Sequence, residues 1–351
     1  MLTDSKPKPM TMAQRVRSII LDATVFGFLF SIAWYAATAP TSQDFQNLSW
    51  LGMRVLSFLL LGGALSLLLA QLQIHTLGHM IFAQAHSKTK PIPLLKSFWG
   101  WQTIVGFVVA FFTGLKVTEF SLYELFSEDG FAGAARIFSS LINPELGLLP
   151  QALSAIFETI FIAFTATALA VPVAFLLAFL CAKNIMGKKP VTFAIYGLLR
   201  TFLNVTRSIE PLIWAIIFSV WVGIGPFAGM LALFLHSVVS LSKQYSEMIE
   251  SVSEGPIEGI LATGASPIQV IWFAIVPQIV LPYVSFTIYR WDINVRMATV
   301  IGLVGGGGIG TMLIQFQGQA MWREVGCLVL VIAAVVWMMD TASAYLREAL
   351  K

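Results

Sequence analysis

Apolar runs long enough to cross a bilayer recur along the whole chain, and they leave few folds open. A spanning helix needs about 20 apolar residues, and such runs stand at residues 19–39, 51–74, 153–182, 268–289 and 325–344. Residues 101–117 form a shorter run, 193–222 are broken by Arg207-Ser-Ile-Glu-Pro211, and 227–241 start directly after the turn signal Gly223-Ile-Gly-Pro226. Lipid offers the backbone no hydrogen-bond partner, so these segments must be helical. The expected fold is all-α, a polytopic integral membrane protein with about eight transmembrane helices. A mean hydropathy of +0.82, with 57% hydrophobic and 11% charged residues, supports this assignment. The lipid bilayer is thus a partner, and no dense basic run points to nucleic acid.

Charge placement orients the spans. With the amino terminus inside, the basic clusters at 6–17, 88–96, 183–189, Lys243 and 347–351 all fall on the cytoplasmic side. Both termini are then cytoplasmic. The 41–50 loop, with no Lys or Arg, and the acidic 119–150 loop fall outside. Within the latter, 131–141 alternate small or polar residues with Phe, Ile and Leu, as a helix lying along the interface would. The apolar run after Arg17 is too long for a signal peptide and reads as a retained first helix. Arg290, Arg296 and Arg323 fall on or near the outer side, against the charge rule, so something else must hold them there.

One polar stretch interrupts the apolar pattern on the cytoplasmic side, Glu254-Gly-Pro-Ile-Glu-Gly-Ile-Leu-Ala-Thr-Gly-Ala-Ser-Pro267. Gly255 can serve as N-cap with Pro256 in the first helical position and Glu258 in the first turn. Ile257, Ile260 and Leu261 recur at helical spacing and give a short helix one apolar face, and Gly264 suits a left-handed stop. After Ala265, Ser266-Pro267-Ile268-Gln269 carries the capping-box pattern and opens the next apolar run. A helix this short is not stable alone in water, so its apolar face needs a receiver, either a partner's groove or this chain's own helix ends.

Ionisable groups at membrane depth usually face a bundle interior or an aqueous path, which makes Arg290, Asp292, Asn294 and Arg296 candidates for a translocation path. Mutual ion pairing explains the same spacing equally well. After them, Ile301-Gly-Leu-Val-Gly-Gly-Gly-Gly-Ile-Gly310 is too glycine-rich for an ordinary span and is expected as a re-entrant or unwound segment buried in protein. Gly305, Gly306, Gly307 and Gly308 then serve close backbone packing or a gate, since no strand–helix alternation surrounds them to support a nucleotide loop. His75, His79 and His86 lie near the end of the second span without a third type of ligand, and a metal role is the minority reading. Glu158 and His236 read as interhelical hydrogen-bonding groups, and Cys181 and Cys327 as packing residues. No catalytic spacing, cofactor motif or metal set is apparent, so an enzyme is not expected.

Glu258-Gly-Ile-Leu-Ala-Thr-Gly264-Ala-Ser, with Pro277 beyond, resembles the cytoplasmic loop of binding-protein-dependent ABC importer permeases. Together with Arg207-Ser-Ile, Gly223-Ile-Gly-Pro-Phe-Ala-Gly229, Tyr289-Arg-Trp-Asp-Ile-Asn-Val-Arg296 and Ala298-Thr-Val-Ile-Gly-Leu-Val-Gly-Gly-Gly-Gly-Ile-Gly310, it resembles the phosphonate-importer branch over about residues 152–350. Gly259 and Ile260 replace the usual paired alanines, Ala274-Ile-Val-Pro277 replaces the later Ile-x-Leu-Pro, and Glu210 precedes rather than follows proline.

The resemblance implies a MetI-like permease core at 151–351, with a coupling helix at about 256–263 that docks on a cytoplasmic ATP-binding subunit through Pro256, Ile257, Glu258, Ile260, Leu261, Gly264, Ala265 and Ser266. Residues 1–150 would be an additional membrane region of about three helices. It further implies an extracytoplasmic solute-binding protein, a second permease copy in a homodimer, an inner-membrane location, ATP hydrolysis in another chain, and phosphonate or a related phosphorus oxyanion moved by alternating access. The competing readings are an importer for another small anion or an amino acid, an ion-coupled secondary transporter, and a non-transporting scaffold.

Overall fold

The computed structural model describes residues 11–38, 48–72, 74, 76–84, 94–187 and 190–350. All regular structure among them is helical, and the chain divides into two compact units, Met1–Ser127 and Glu128–Lys351. Seven helices are long and apolar enough to cross a membrane, and an eighth span arises if the pair Pro190–Arg207 and Pro211–Val222, bent by 90°, is counted as one. The expected count of spans is met.

The first unit holds α1 (Met12–Thr38), α2 (Leu48–Gln71), α3 (Leu77–Gln84), α4 (Phe98–Val117) and α5 (Leu122–Phe126). Close approach of α1 and α2 depends on Gly62, whose added Cβ would lie 2.4 Å from the Ala23 carbonyl oxygen. Asp22 on α1 is 1% exposed and holds three groups: it accepts from the Thr76 hydroxyl, from the Gly78 N–H at 2.9 Å and from Gln102 Nε2 at 3.4 Å. A buried carboxylate is tolerated only with such partners. Ser97 caps α4 by accepting from the Gly100 N–H.

The second unit holds α6 (Glu128–Ile142), α7 (Leu149–Leu180), α8 (Lys183–Met186), α9 (Pro190–Arg207), α10 (Pro211–Val222), α11 (Pro226–Glu250), α12 (Glu254–Ala262), α13 (Pro267–Val270), α14 (Val276–Gly302), α15 (Gly308–Gly318) and α16 (Trp322–Ala349). Its centre is the pair α7 and α11, with α14 packed on both. Ala152, Ala163, Ala166, Ala170, Ala174 and Ala178 form a buried stripe along α7. Such small side chains let helices approach in lipid, where burial alone drives little association. Near the C-terminal end of α11, Tyr245 stacks on Tyr283 of α14 with centroids 3.7 Å apart, and the Tyr283 hydroxyl donates to the Tyr245 carbonyl at 2.9 Å.

Breaks in the helices follow from the residues at them. Pro277 has no N–H and its ring crowds the carbonyl four residues back, and the wider π turn at Ile271–Ile275 relieves both between α13 and α14. The α9–α10 bend follows Arg207-Ser-Ile, with Pro211 opening α10. Helix α6 covers the segment read as interfacial; it buries none of its residues and leaves Phe131 and Phe138 open.

Candidate functional site

The polar stretch folds as expected into a short helix, a tight turn and a long helix, but it starts earlier. Helix α12 begins at Glu254 with Ser253 in the N-cap position, whereas Gly255 and Pro256 lie inside the first turn. Pro256 is accommodated there because first-turn N–H groups have no intrahelical acceptor to lose. The Ser253 N–H donates instead to Gln278 Oε1 at 3.0 Å, which ties the entry of α12 to α14. Gly264 ends the helix with φ +80, a conformation that strains any residue with a Cβ. The Ser266 N–H then donates to Gln269 Oε1 at 2.7 Å, one half of the capping box that starts α13.

No residue of α12 is buried. Ile257 packs partly against the core around Ile249, Ile275 and Ile279, Ile260 is half-buried, and Leu261 is 49% exposed. Pro256, Glu258 and Ser266 are exposed, and Ala265 is half-buried. One edge of the apolar face is therefore received by this chain's own helices, and the Leu261 edge is left open.

Membrane-depth polar residues fall on different sides of α14. Arg296 bonds Asp292 at 2.6 Å and reaches Asp340 of α16 at 3.3 Å. Asp292 is 3% exposed, so Arg296 supplies the partner that a buried carboxylate needs. The ion pairing that the spacing left open thus belongs to Arg296 and Asp292, with Arg290 outside it. Asn294 is fully buried, and its amide donates to Thr167 of α7 at 2.8 Å and to Ser237 of α11 at 2.7 Å, joining the three central helices. Arg290 is 7% exposed and its Nε has no partner.

The glycine-rich segment is unwound and buried, as expected. Between α14 and α15, Gly305, Gly307 and Gly308 take φ of 88, 81 and 69. Backbone meets backbone here: a Cβ on Gly229 would lie 2.4 Å from the Gly306 oxygen, and one on Gly310 would lie 2.0 Å from the Thr299 oxygen. Two side chains of α7 satisfy the first turn of α15, Glu158 accepting from the Gly308 N–H at 3.1 Å and Thr159 from the Ile309 N–H at 2.9 Å. Glu158 is the interhelical hydrogen-bonding group its position suggests.

Arg323 is held by Glu145 at 3.3 Å and by the Asn143 carbonyl at 3.2 Å. On the opposite ends of the helices, Arg200 binds Glu250 at 2.8 Å, and Glu250 also accepts from the Lys183 N–H at 2.8 Å. Cys181, just past α7, lies beside this pair, where burial pushes its thiol up to about 11. His75 and His86 lie outside the described residues, and no group of three metal-ligating side chains occurs among the described ones.

Residues 174–351 match the family model described as binding-protein-dependent transport system inner membrane component. The phosphite transport system permease protein PtxC of Stutzerimonas stutzeri is 36% identical over 223 residues, 64% of this chain and 80% of that protein. The phosphate-import permease protein PhnE of Mycolicibacterium smegmatis is 29% identical over 249 residues, 70% of this chain and 45% of that protein. Among solved structures, an inward-facing MetNI methionine ABC transporter chain aligns with a TM-score of 0.53 at 19% identity, covering 59% of this chain and 99% of that one. This last likeness speaks to the fold. The match over half of the chain, joined to a helical membrane core with a short exposed helix between two spans, places the chain in the family of binding-protein-dependent transport system inner membrane components, the permeases of ABC importers.

Proposed function

We propose that this permease carries phosphite, phosphonate or a closely related phosphorus oxyanion across the cytoplasmic membrane by alternating access. The observation that carries the reading is the 36% identity to a phosphite permease, sustained over 80% of that protein. Oxyanions of this class match the forked N–H donors of arginine.

In this reading the open Leu261 edge of α12 docks in a groove of a separate ATP-binding subunit, with Pro256, Ile257, Glu258, Ile260, Gly264, Ala265 and Ser266 forming or shaping the contact. Its support is an apolar helix face that the chain only half covers. Closure of two ATP-binding subunits would swing two copies of the permease between inward-open and outward-open states, with a solute-binding protein delivering the load outside. The acidic outer loop and the basic inner clusters support cytoplasmic termini. The first three long helices form a membrane region additional to the permease core. The glycine turn at 305–308 serves as a close-packed gate at the outer ends of α11 and α14.

The test is reconstitution of the chain with its cognate ATPase and binding protein. ATP hydrolysis is measured with phosphite, methylphosphonate, phosphate and methionine as loads. Stimulation by phosphite or methylphosphonate is expected, and stimulation by methionine alone would reassign the cargo.

A further inference from the structure

Arg290 differs from the other membrane-depth arginines. Arg296 has Asp292 and Asp340, and Arg323 has Glu145. Arg290 is more deeply buried than either, yet among the described residues it has no ion pair and no hydrogen bond, and its Nε is enclosed without a partner. A buried guanidinium in that state is strongly unfavourable unless an anion joins it.

A second orphan lies in the same field. His236 of α11 is half-buried with its Nδ1 enclosed and unpartnered, and the charges acting on it are those of Arg290 and Arg207. Arg207 also acts on Arg290. It closes α9 at the 90° bend, is exposed, and has no carboxylate at ion-pairing distance among the described residues. At 1.5 Å of rise per residue, His236 lies roughly 15–20 Å from both ends of α11 and Arg290 roughly 18 Å inside the Gly302 end of α14. Hydrogen bonds join the helices that carry them. Asn294, one turn beyond Arg290, is locked to Ser237, the neighbour of His236, and to Thr167. The nearby carboxylate Asp292 is engaged by Arg296.

We propose that Arg290, His236 and Arg207 form an anion site in the middle of the permease, where a compact tetrahedral phosphorus oxyanion is held during its passage. Two oxygens of the load would take the parallel N–H donors of Arg290, the imidazole N–H would reach a third, and Arg207 at the bend would attract the anion. The inference rests on the phosphorus-oxyanion reading above and adds that the permease itself, besides any binding protein, recognises the load.

The experiment uses the full permease with its ATP-binding subunit, without the binding protein, in nonionic detergent, and measures saturable binding of radiolabelled phosphite. Wild type is expected to bind phosphite with competition by methylphosphonate and not by chloride, and to melt at a higher temperature in its presence. Arg290→Gln should weaken binding at least tenfold, His236→Ala several-fold, and Arg290→Lys less than Arg290→Gln. Without anion, Arg290→Gln should melt no lower than wild type, because it removes an unpartnered charge. A lower melting temperature would mean that the fold satisfies Arg290 by itself, and the site would fall. Unchanged binding in Arg290→Gln, or no saturable binding in a complex that phosphite-loaded binding protein does stimulate, would overturn the site and leave the importer reading intact. Competition by phosphatidylglycerol in place of methylphosphonate would give the guanidinium to a lipid phosphate and equally overturn it. Stimulation of hydrolysis by methionine and not by phosphite would remove the reading on which the site rests.

Discussion

Two glycine-containing breaks in the apolar pattern have opposite surroundings. Around α12, a Cβ built on Gly255, Gly259 or Gly264 would meet nothing within 4 Å beyond its own local backbone. Around the turn after α14, a Cβ on Gly302, Gly306, Gly308 or Gly310 would run into backbone or a neighbouring side chain at 2.0–2.6 Å. In the first region glycine supplies one special φ, at Gly264, and leaves a helix uncovered. In the second it lets main chains touch. The first region can therefore be altered without harming the fold and the second cannot.

The largest expected effect is at the buried turn. Gly310→Ala sets a methyl group against the Thr299 carbonyl, and overpacking of this severity costs about 3 kcal/mol or more. Size-exclusion chromatography in detergent should show loss of the monodisperse permease. A variant that elutes and melts as wild type does would show that the turn is loose.

Next comes the ion pair on α14. Arg296→Ala strips the buried Asp292 of its ion-pair partner and should destabilise by about 2 kcal/mol, read as a lower melting temperature. Asp292→Asn in the same background should recover most of it. Glu158→Ala, which leaves the Gly308 N–H without its acceptor, should cost about 1–2 kcal/mol, whereas Glu158→Gln keeps the oxygen and most of the stability.

At the open helix the fold should survive substitution, and the larger effect should be on coupling. Gly264→Val strains the turn by about 1–2 kcal/mol and should leave a folded permease whose ATP hydrolysis no longer drives transport. If transport survives unchanged, α12 is not the coupling element. The smallest effect is at Cys181, with its thiol pushed up to about 11 by burial. Only about a thousandth of it is thiolate at pH 8, so alkylation by iodoacetamide in the folded complex should be negligible there and rise tenfold per pH unit. Fast labelling at pH 7 would show that the α7 end and the Arg200–Glu250 pair are open.

Much of this was legible in the sequence. Length and hydropathy mark the spans, since lipid leaves the backbone no alternative to helix. The spacing of Ile257, Ile260 and Leu261 marks α12, and four consecutive glycines mark the turn. What could not be read lies between helices. Ser253 replaces Gly255 as the N-cap because Gln278, 25 residues on, holds its N–H. Arg296 finds Asp340 on another helix, and Asn294 of α14 finds Thr167 of α7 and Ser237 of α11. Asp22 carried no local signal, because its partners stand 54–80 residues away. Single polar residues in apolar runs were the available clue, and periodicity alone does not say which of them meet.

The contrast between the two regions is tested most directly by co-purification of the ATP-binding subunit with a Leu261→Asp permease, followed by ATP hydrolysis with phosphite-loaded binding protein. Leu261 is 49% exposed in the chain itself, so the variant is expected to remain folded and monodisperse while losing the ATPase and the stimulated hydrolysis. Full retention of the ATPase with undiminished stimulation would contradict the assignment of α12 as the coupling helix.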